Sequence, residues 1–351
     1  MVNYNFCTLF NTAYITRGLL MYQSLLQNCS NAHLFVFAFD DTCYNFLKEQ
    51  NYPSLTVISL SEFEDEELLK IKNQRSAAEY CWSCTPSTIL YAIEKYKLDN
   101  CTYVDADMQF FSNPAIIWEE SIDKSVLITS HNYTVAYDQS VVSGIYCVQF
   151  VGFLNDSNGM RVLQWWRKSC IEWCYARSED GKFGDQKYLD NWVTKFEGVH
   201  VVKNFGAGIA PWNCQQCNFQ MKNGKINAHH IGTSTEFNVV FYHFHGVVFF
   251  KNETLILSGD IYKLNEDVIR LFYIPYIRGL QDLKIKIEPH FTDKDTQGSK
   301  DILAMKPGLF YKITLLVNTL KSFLKNLLAG TFKFTPLFNH YYFINKFTGR
   351  K

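Results

Sequence analysis

A chain of 351 residues, at about 150 per domain, makes one large domain or two small ones and can bury a real core. Hydrophobic residues at 47% and charged residues at 19% exclude disorder, collagen and a coiled-coil rod. Lysine plus arginine balance aspartate plus glutamate at 34 each, so the chain is not a generally basic nucleic-acid binder. The balance hides an asymmetry: residues 302–351 carry eight Lys/Arg and no Asp or Glu, which leaves the first 301 residues at 26 − 34 = −8. No secretory signal or membrane-spanning run is predicted. The eleven cysteines therefore read as mostly reduced thiols in a cytoplasmic protein. Cys81/Cys84 and Cys214/Cys217 have the spacing of zinc ligands. They lie far apart in sequence without Gly-rich knuckles, and ordinary thiols are the favoured reading.

The elements alternate from the start. Phe6 to Phe10 is a short apolar strand, Ala13 to Gln27 has helical spacing, and Leu34 to Phe39 is a buried strand ending in Asp40-Asp41. Thr42 is placed to cap a helix running to about Gln50. Leu55 to Leu60 is a third strand, Pro86 to Tyr96 a helix, and Cys101 to Val104 a fourth strand. Further on come strands at Ser125 to Ser130 and Tyr146 to Leu154, an aromatic helix from Gly159 to Tyr175, and a strand from Val239 to Phe244. This order predicts an α/β fold: a mainly parallel sheet with helices on both faces. Ligands of such sheets bind at the carboxyl ends of strands, which directs attention to Asn11, Asp40 and Asp105-Ala106-Asp107. The first strand is followed by neither GxGxxG nor GxxxxGK[ST], which removes the usual dinucleotide fold and the P-loop.

Asp105 and Asp107 flank one residue at the end of an apolar strand, a spacing able to hold one divalent cation. A cation there would bridge two phosphates and neutralise a leaving diphosphate. A second pair, Asp293/Asp295, sits in a polar loop and reads as a solvated surface pair linking body and tail. His243 and His245 share a face if the strand continues through both. They are either a hydrogen-bonded core pair, or His245 is the third, neutral ligand, which favours Mn²⁺ over Ca²⁺. Gly246 would let the backbone approach a phosphate. Asp185 is a helix N-cap, a sugar-hydroxyl acceptor or a general base. Arg75 is a diphosphate contact or a surface arginine.

These residues resemble the GT-A nucleotide-sugar glycosyltransferases. The layout is similar to glycosyltransferase family 8, and more closely to a group of bacterial glycosyltransferases. The matching segments are Arg75-Ser76, Glu79 to Pro86, Tyr103 to Asp107, Phe183 to Leu189, Gly206 to Asn213 and Tyr242 to Gly246, and the resemblance covers about residues 3 to 250. It implies that Asp105, Asp107 and His245 hold Mn²⁺ or Mg²⁺. Thr8 and its strand would cradle the nucleotide base, and Asp185 and Gln186 would meet the donor sugar. The donor implied is a nucleotide-diphosphate sugar, a UDP-sugar first, and the acceptor a hydroxyl of a surface glycan or glycolipid. The family-8 terminal motif continues to Lys-Pro-Trp, whereas here Gly246 leads to Val247-Val248-Phe249-Phe250 with Lys251 nearby. Residues 1–250 are then the catalytic domain, 251–301 an extension and linker, and 302–351 a basic tail. Leu309, Ile313, Leu316, Leu320, Phe323, Leu324 and Leu327 recur there at helical spacing. The tail either packs on the body or lies on an anionic membrane on the cytoplasmic face. A sugar nucleotidyltransferase and a non-catalytic glycan-binding scaffold are the rival readings. The loop Asn11 to Tyr14 lacks the Gly-rich basic signature of the first, and the acidic pair argues against the second.

Overall fold

The computed structural model describes residues 3–259, 261–301 and 341–349. Seven strands form the main sheet: β1 (Tyr4–Phe10), β2 (Ala32–Ala38), β3 (Leu55–Ser59), β4 (Asn100–Val104), β6 (Val126–Ser130), β7 (Tyr146–Leu154) and β8 (Val199–Val201), with β5 (Met108–Phe110) set aside in a second sheet. The main-sheet order is β3-β2-β1-β4-β7-β6-β8, and only β7 runs against its neighbours. The strands are near-continuous apolar runs because both faces are covered. Phe6 and Phe10 of β1 face one core, with the Ile15–Asn28 and Ile274–Ile287 helices. Cys7 and Leu9 face the other, with the Ala77–Tyr96 and Ser157–Glu172 helices.

The α/β expectation holds, with local corrections. Asp40, not Thr42, caps the Asp41–Gln50 helix by accepting from the Cys43 amide at 2.7 Å. The helix expected at Pro86 starts at Ala77, where Ser76 and Glu79 form a capping box, and Pro86 lies inside it. Pro86 and the residues from Ser83 to Ile89 are buried, so packing offsets the lost backbone bond.

The second sheet has the order β5-β13-β9, with β9 spanning Ala207–Ile209 and β13 Phe241–His243. Between them, β10 (Cys217–Lys222), β11 (Lys225–His230) and β12 (Glu236–Asn238) make an antiparallel sheet. Beyond residue 250 the chain stays with the body. Val268, Phe272, Tyr276 and Ile277 join the core that holds Phe6, and Gln297 accepts from Arg17 Nη1 at 2.8 Å through its carbonyl. Asp293 and Asp295 are exposed as expected, while Thr296 and Gln297 beside them are buried. The apolar stripe expected from Leu309 to Leu328 lies outside the described residues. No helix among the described residues is long and apolar enough to cross a membrane.

Candidate active site

The chain leaves β4 at its carboxyl end, and Asp105 extends the ladder there by donating its amide to the Gln149 carbonyl at 3.2 Å. Two residues later the chain enters β5, which pairs antiparallel with β13 in a register that sets Met108 opposite His243. That register brings His243 to the carboxylates. Its Nε2 lies 3.1 Å from Asp107 Oδ1 and 3.7 Å from Asp105 Oδ2. Among the described residues, Asp105, Asp107 and His243 are the one group of three potential metal ligands whose donor atoms all lie within 4.8 Å of one another.

The third member is therefore His243, where His245 was expected. Strand β13 stops at His243, so the alternation that put both histidines on one face does not reach His245. Gly246 follows at φ +82°, and a Cβ there would meet the Ser258 backbone at 3.3 Å. The tight turn accounts for the glycine, and the cleft does not include it. A signal was present: His243-Phe244-His245-Gly246 is itself a His-x-x-Gly element counted from His243.

The donor set suits a divalent cation of the Mn²⁺ type: two carboxylates and one imidazole nitrogen. Gln149 completes it from β7. Its Oε1 faces His243 Nδ1 at 2.9 Å, which places the Nδ1 proton in that bond and leaves the Nε2 lone pair toward the carboxylates. In the metal-free site burial disfavours the imidazolium, but Asp107 and Asp105 outweigh burial and hold His243 well above its ordinary value. Burial pushes Asp105 up and Asp107 adds to it, against the pull of His243. Asp107 stays below its ordinary value, because His243 more than offsets burial. Tyr103 steadies Asp105 by donating to its Oδ1 at 3.1 Å.

Asp185 and Gln186 open into the same cleft, which has a volume of about 480 Å³. Asp185 is not a helix cap. Its carboxyl is buried, 6% exposed, and raised to about 7 by burial first and the Asp105 charge second. Trp166 fixes its backbone by donating Nε1–H to the Asp185 carbonyl at 2.9 Å. One wall carries Trp82 and Phe183, the other His131, Tyr133, Trp212 and Tyr262. The Trp212 ring lies 5.4 Å from His243 and 5.6 Å from His245, so the second wall abuts the ligand cluster. Sequence reasoning assigned no role to these aromatics, although Trp82 and Trp212 stand in its motifs. Gln149 had a weaker signal, an amide inside an apolar strand.

Other expected contacts fall elsewhere. Arg75 is buried against the end of the Ser157–Glu172 helix. Its Nη2 donates to the Ile171 carbonyl at 3.2 Å, and its guanidinium lies 3.8 Å over the Tyr175 ring, outside the cleft lining. Thr8 is fully buried within β1, outside the lining, and its Oγ1 has no hydrogen-bond partner among the described residues. Lys251 pairs with Asp301 at 3.1 Å. Asp40 is occupied by the Cys43 amide and by Thr12, whose amide and hydroxyl donate at 2.7 and 2.6 Å. Asp40→Ala is expected to lower stability by about 1–2 kcal/mol, read as a drop in Tm, because it removes an N-cap. The two CxxC pairs do not converge on a shared site, and all eleven cysteines are free.

The protein YfnD of Bacillus subtilis (strain 168), itself uncharacterized, is 32% identical over 302 residues, covering 84% of this chain and 94% of YfnD. The chain belongs to the YfnD family. YfnF of the same strain, also uncharacterized, is 29% identical over 249 residues, covering 69% of this chain and 80% of YfnF. No protein-family model matches this YfnD relative. Solved structures similar to it include the galactosyltransferase LgtC in complex with donor and acceptor sugar analogs, at 12% identity, TM-score 0.47, covering 82% of this chain and 100% of that one. Mouse xyloside xylosyltransferase 1 matches at 10% identity, TM-score 0.42, covering 69% and 97%.

Proposed function

We propose that this member of the YfnD family is a metal-dependent GT-A glycosyltransferase that moves a sugar from a nucleotide-diphosphate donor to an acceptor hydroxyl. The observation that carries the reading is the convergence of Asp105, Asp107 and His243 at the carboxyl end of β4, in one cleft with the buried carboxyl of Asp185. Asp105, Asp107 and His243 would hold Mn²⁺ or Mg²⁺. The ion supplies Lewis-acid stabilisation of the charge that develops on the leaving nucleoside diphosphate.

The remaining work falls to the chain. Gln149 keeps His243 in the tautomer whose Nε2 lone pair faces the cleft. Asp185 holds or releases a proton near neutrality, and Gln186 beside it lines the donor-sugar end. Trp82 and Phe183, opposite Tyr133, Trp212 and Tyr262, supply flat apolar faces that exclude water and suit a pyranose ring. A UDP-sugar is the first donor to try, and a surface glycan or glycolipid the first acceptor. The basic amphipathic pattern of the tail supports peripheral attachment to an anionic membrane.

Calorimetry with a panel of nucleotide sugars, in Mn²⁺ and then in EDTA, tests the reading. One donor is expected to bind only with metal. Binding of none in either condition overturns the reading. A sharper expectation concerns Gln149. Gln149→Leu is expected to weaken Mn²⁺ binding by about 10–100-fold, as loss of an outer-shell partner does, whereas Gln149→Glu keeps an acceptor for Nδ1–H and retains binding. Paramagnetic resonance of bound Mn²⁺ reads the difference without turnover.

A further inference from the structure

One stretch of the cleft rim is aliphatic. Residues 131–145 join β6 to β7, and His131, Tyr133, Gln139 and Ser143 from this stretch line the cleft. Interleaved with them, Val135, Val141, Val142 and Ile145 point to solvent, at 93%, 86%, 45% and 49% exposure. Asp138 is the one acidic residue of the stretch and is tied to the Ser140 amide at 2.8 Å. A second segment brings another aliphatic to the same rim. Tyr262 packs edge-on to Tyr137 at 5.4 Å, its hydroxyl accepts from Gln139 Nε2 at 2.8 Å, and the Lys263 amide donates to the Tyr137 hydroxyl at 3.1 Å. Ile261, immediately before Tyr262, is 62% exposed.

Single exposed aliphatics are normal on a protein surface, but five at one cleft mouth mark a contact surface. The charge beside them is positive. Lys263 is exposed and makes no ion pair among the described residues, and residues 302–351 carry eight Lys/Arg with no acid. Reversible membrane attachment takes two signals, an apolar insertion and a basic patch that meets anionic headgroups. The rim supplies the first, and Lys263 with the basic segment supplies the second.

We propose that Val135, Val141, Val142, Ile145 and Ile261 form a bilayer-docking rim that sets the cleft mouth against the headgroup layer of an anionic membrane. The docking surface stands on the rim alone. Its consequence, that the acceptor hydroxyl belongs to a lipid-linked glycan, rests on the glycosyl-transfer reading.

Flotation of the full chain with phosphatidylcholine vesicles, with and without about 30% phosphatidylglycerol, tests the rim. The chain is expected to float with the anionic vesicles, and V135D/V141D/V142D to lose about tenfold or more of that affinity. The same variant is expected to keep the wild-type Tm in the absence of lipid and the wild-type response to nucleotide sugar with Mn²⁺. Failure of the wild type to float overturns the proposal, as does equal flotation of the variant. A lipid-free Tm several degrees lower means that the chain itself covers the rim. A wild-type dimer that the variant dissociates means that a second copy does. Either result also overturns it. Flotation without binding of any nucleotide sugar retains the docking rim and removes the glycosyl-transfer reading.

Discussion

Asp107→Ala is expected to reduce sugar transfer by at least about 10²–10³-fold and to abolish metal-dependent donor binding, the scale set by removing one preorganised electrostatic partner of a developing negative charge. Asp107 is the carboxylate nearest His243, at 3.1 Å, and of the two acids it is the one held in the charged form. Calorimetry with Mn²⁺ and steady-state transfer read the two effects together. Unchanged binding and transfer would sink the metal-centred reading. The paired variants His243→Ala and His245→Ala separate the two histidines. His243→Ala is expected to behave like Asp107→Ala, while His245→Ala keeps Mn²⁺ binding within a few-fold, because only His243 is brought to the acids by the pairing with Met108.

Asp185→Asn has opposite effects on rate and stability. Transfer is expected to fall by about 10²–10⁴-fold, the usual contribution of a positioned proton-transfer group. Stability is expected to rise at high pH. The folded carboxyl titrates at about 7, raised by burial and by Asp105, whereas an unfolded aspartate titrates at about 3.9. Between those values the native state binds more protons than the unfolded state, so the derivative of unfolding free energy with pH is negative. The wild type therefore loses stability as pH rises from about 4 to about 7, by up to about 4 kcal/mol at 1.36 kcal/mol per unit. Asparagine cannot ionise and escapes this loss. In EDTA, the Tm advantage of Asp185→Asn is expected to grow from pH 5 to pH 8. An advantage independent of pH would show that Asp185 titrates as an ordinary carboxyl.

The parallel half of the sheet was legible because strands buried on both faces are apolar at every position, and β1, β2 and β4 keep that pattern without interruption. The acidic pair was legible because Asp105 and Asp107 follow such a run directly. The earlier start of the Ala77–Tyr96 helix was signalled by Ser76 and Glu79, but Pro86 is a stronger local stop signal, and it is overridden only by the core it packs into.

The site partners were decided by contacts far along the chain. Arg75 follows a lysine-rich helix and reads as a surface cation, yet its guanidinium lies on Tyr175, 100 residues later, and bonds the Ile171 carbonyl. Gln149 bonds His243 across a separation of 94 residues. His243 and His245 are chemically alike and two positions apart. Nothing local tells them apart, because local pattern does not state where a strand ends or which residue of β5 it faces. The sequence alone thus determined the layered α/β frame and the position of its acidic edge, both of which depend on short-range apolar period and spacing. Which histidine, which amide and which aromatics complete that edge was decided by the register between β5 and β13, and register is set by pairing between distant segments.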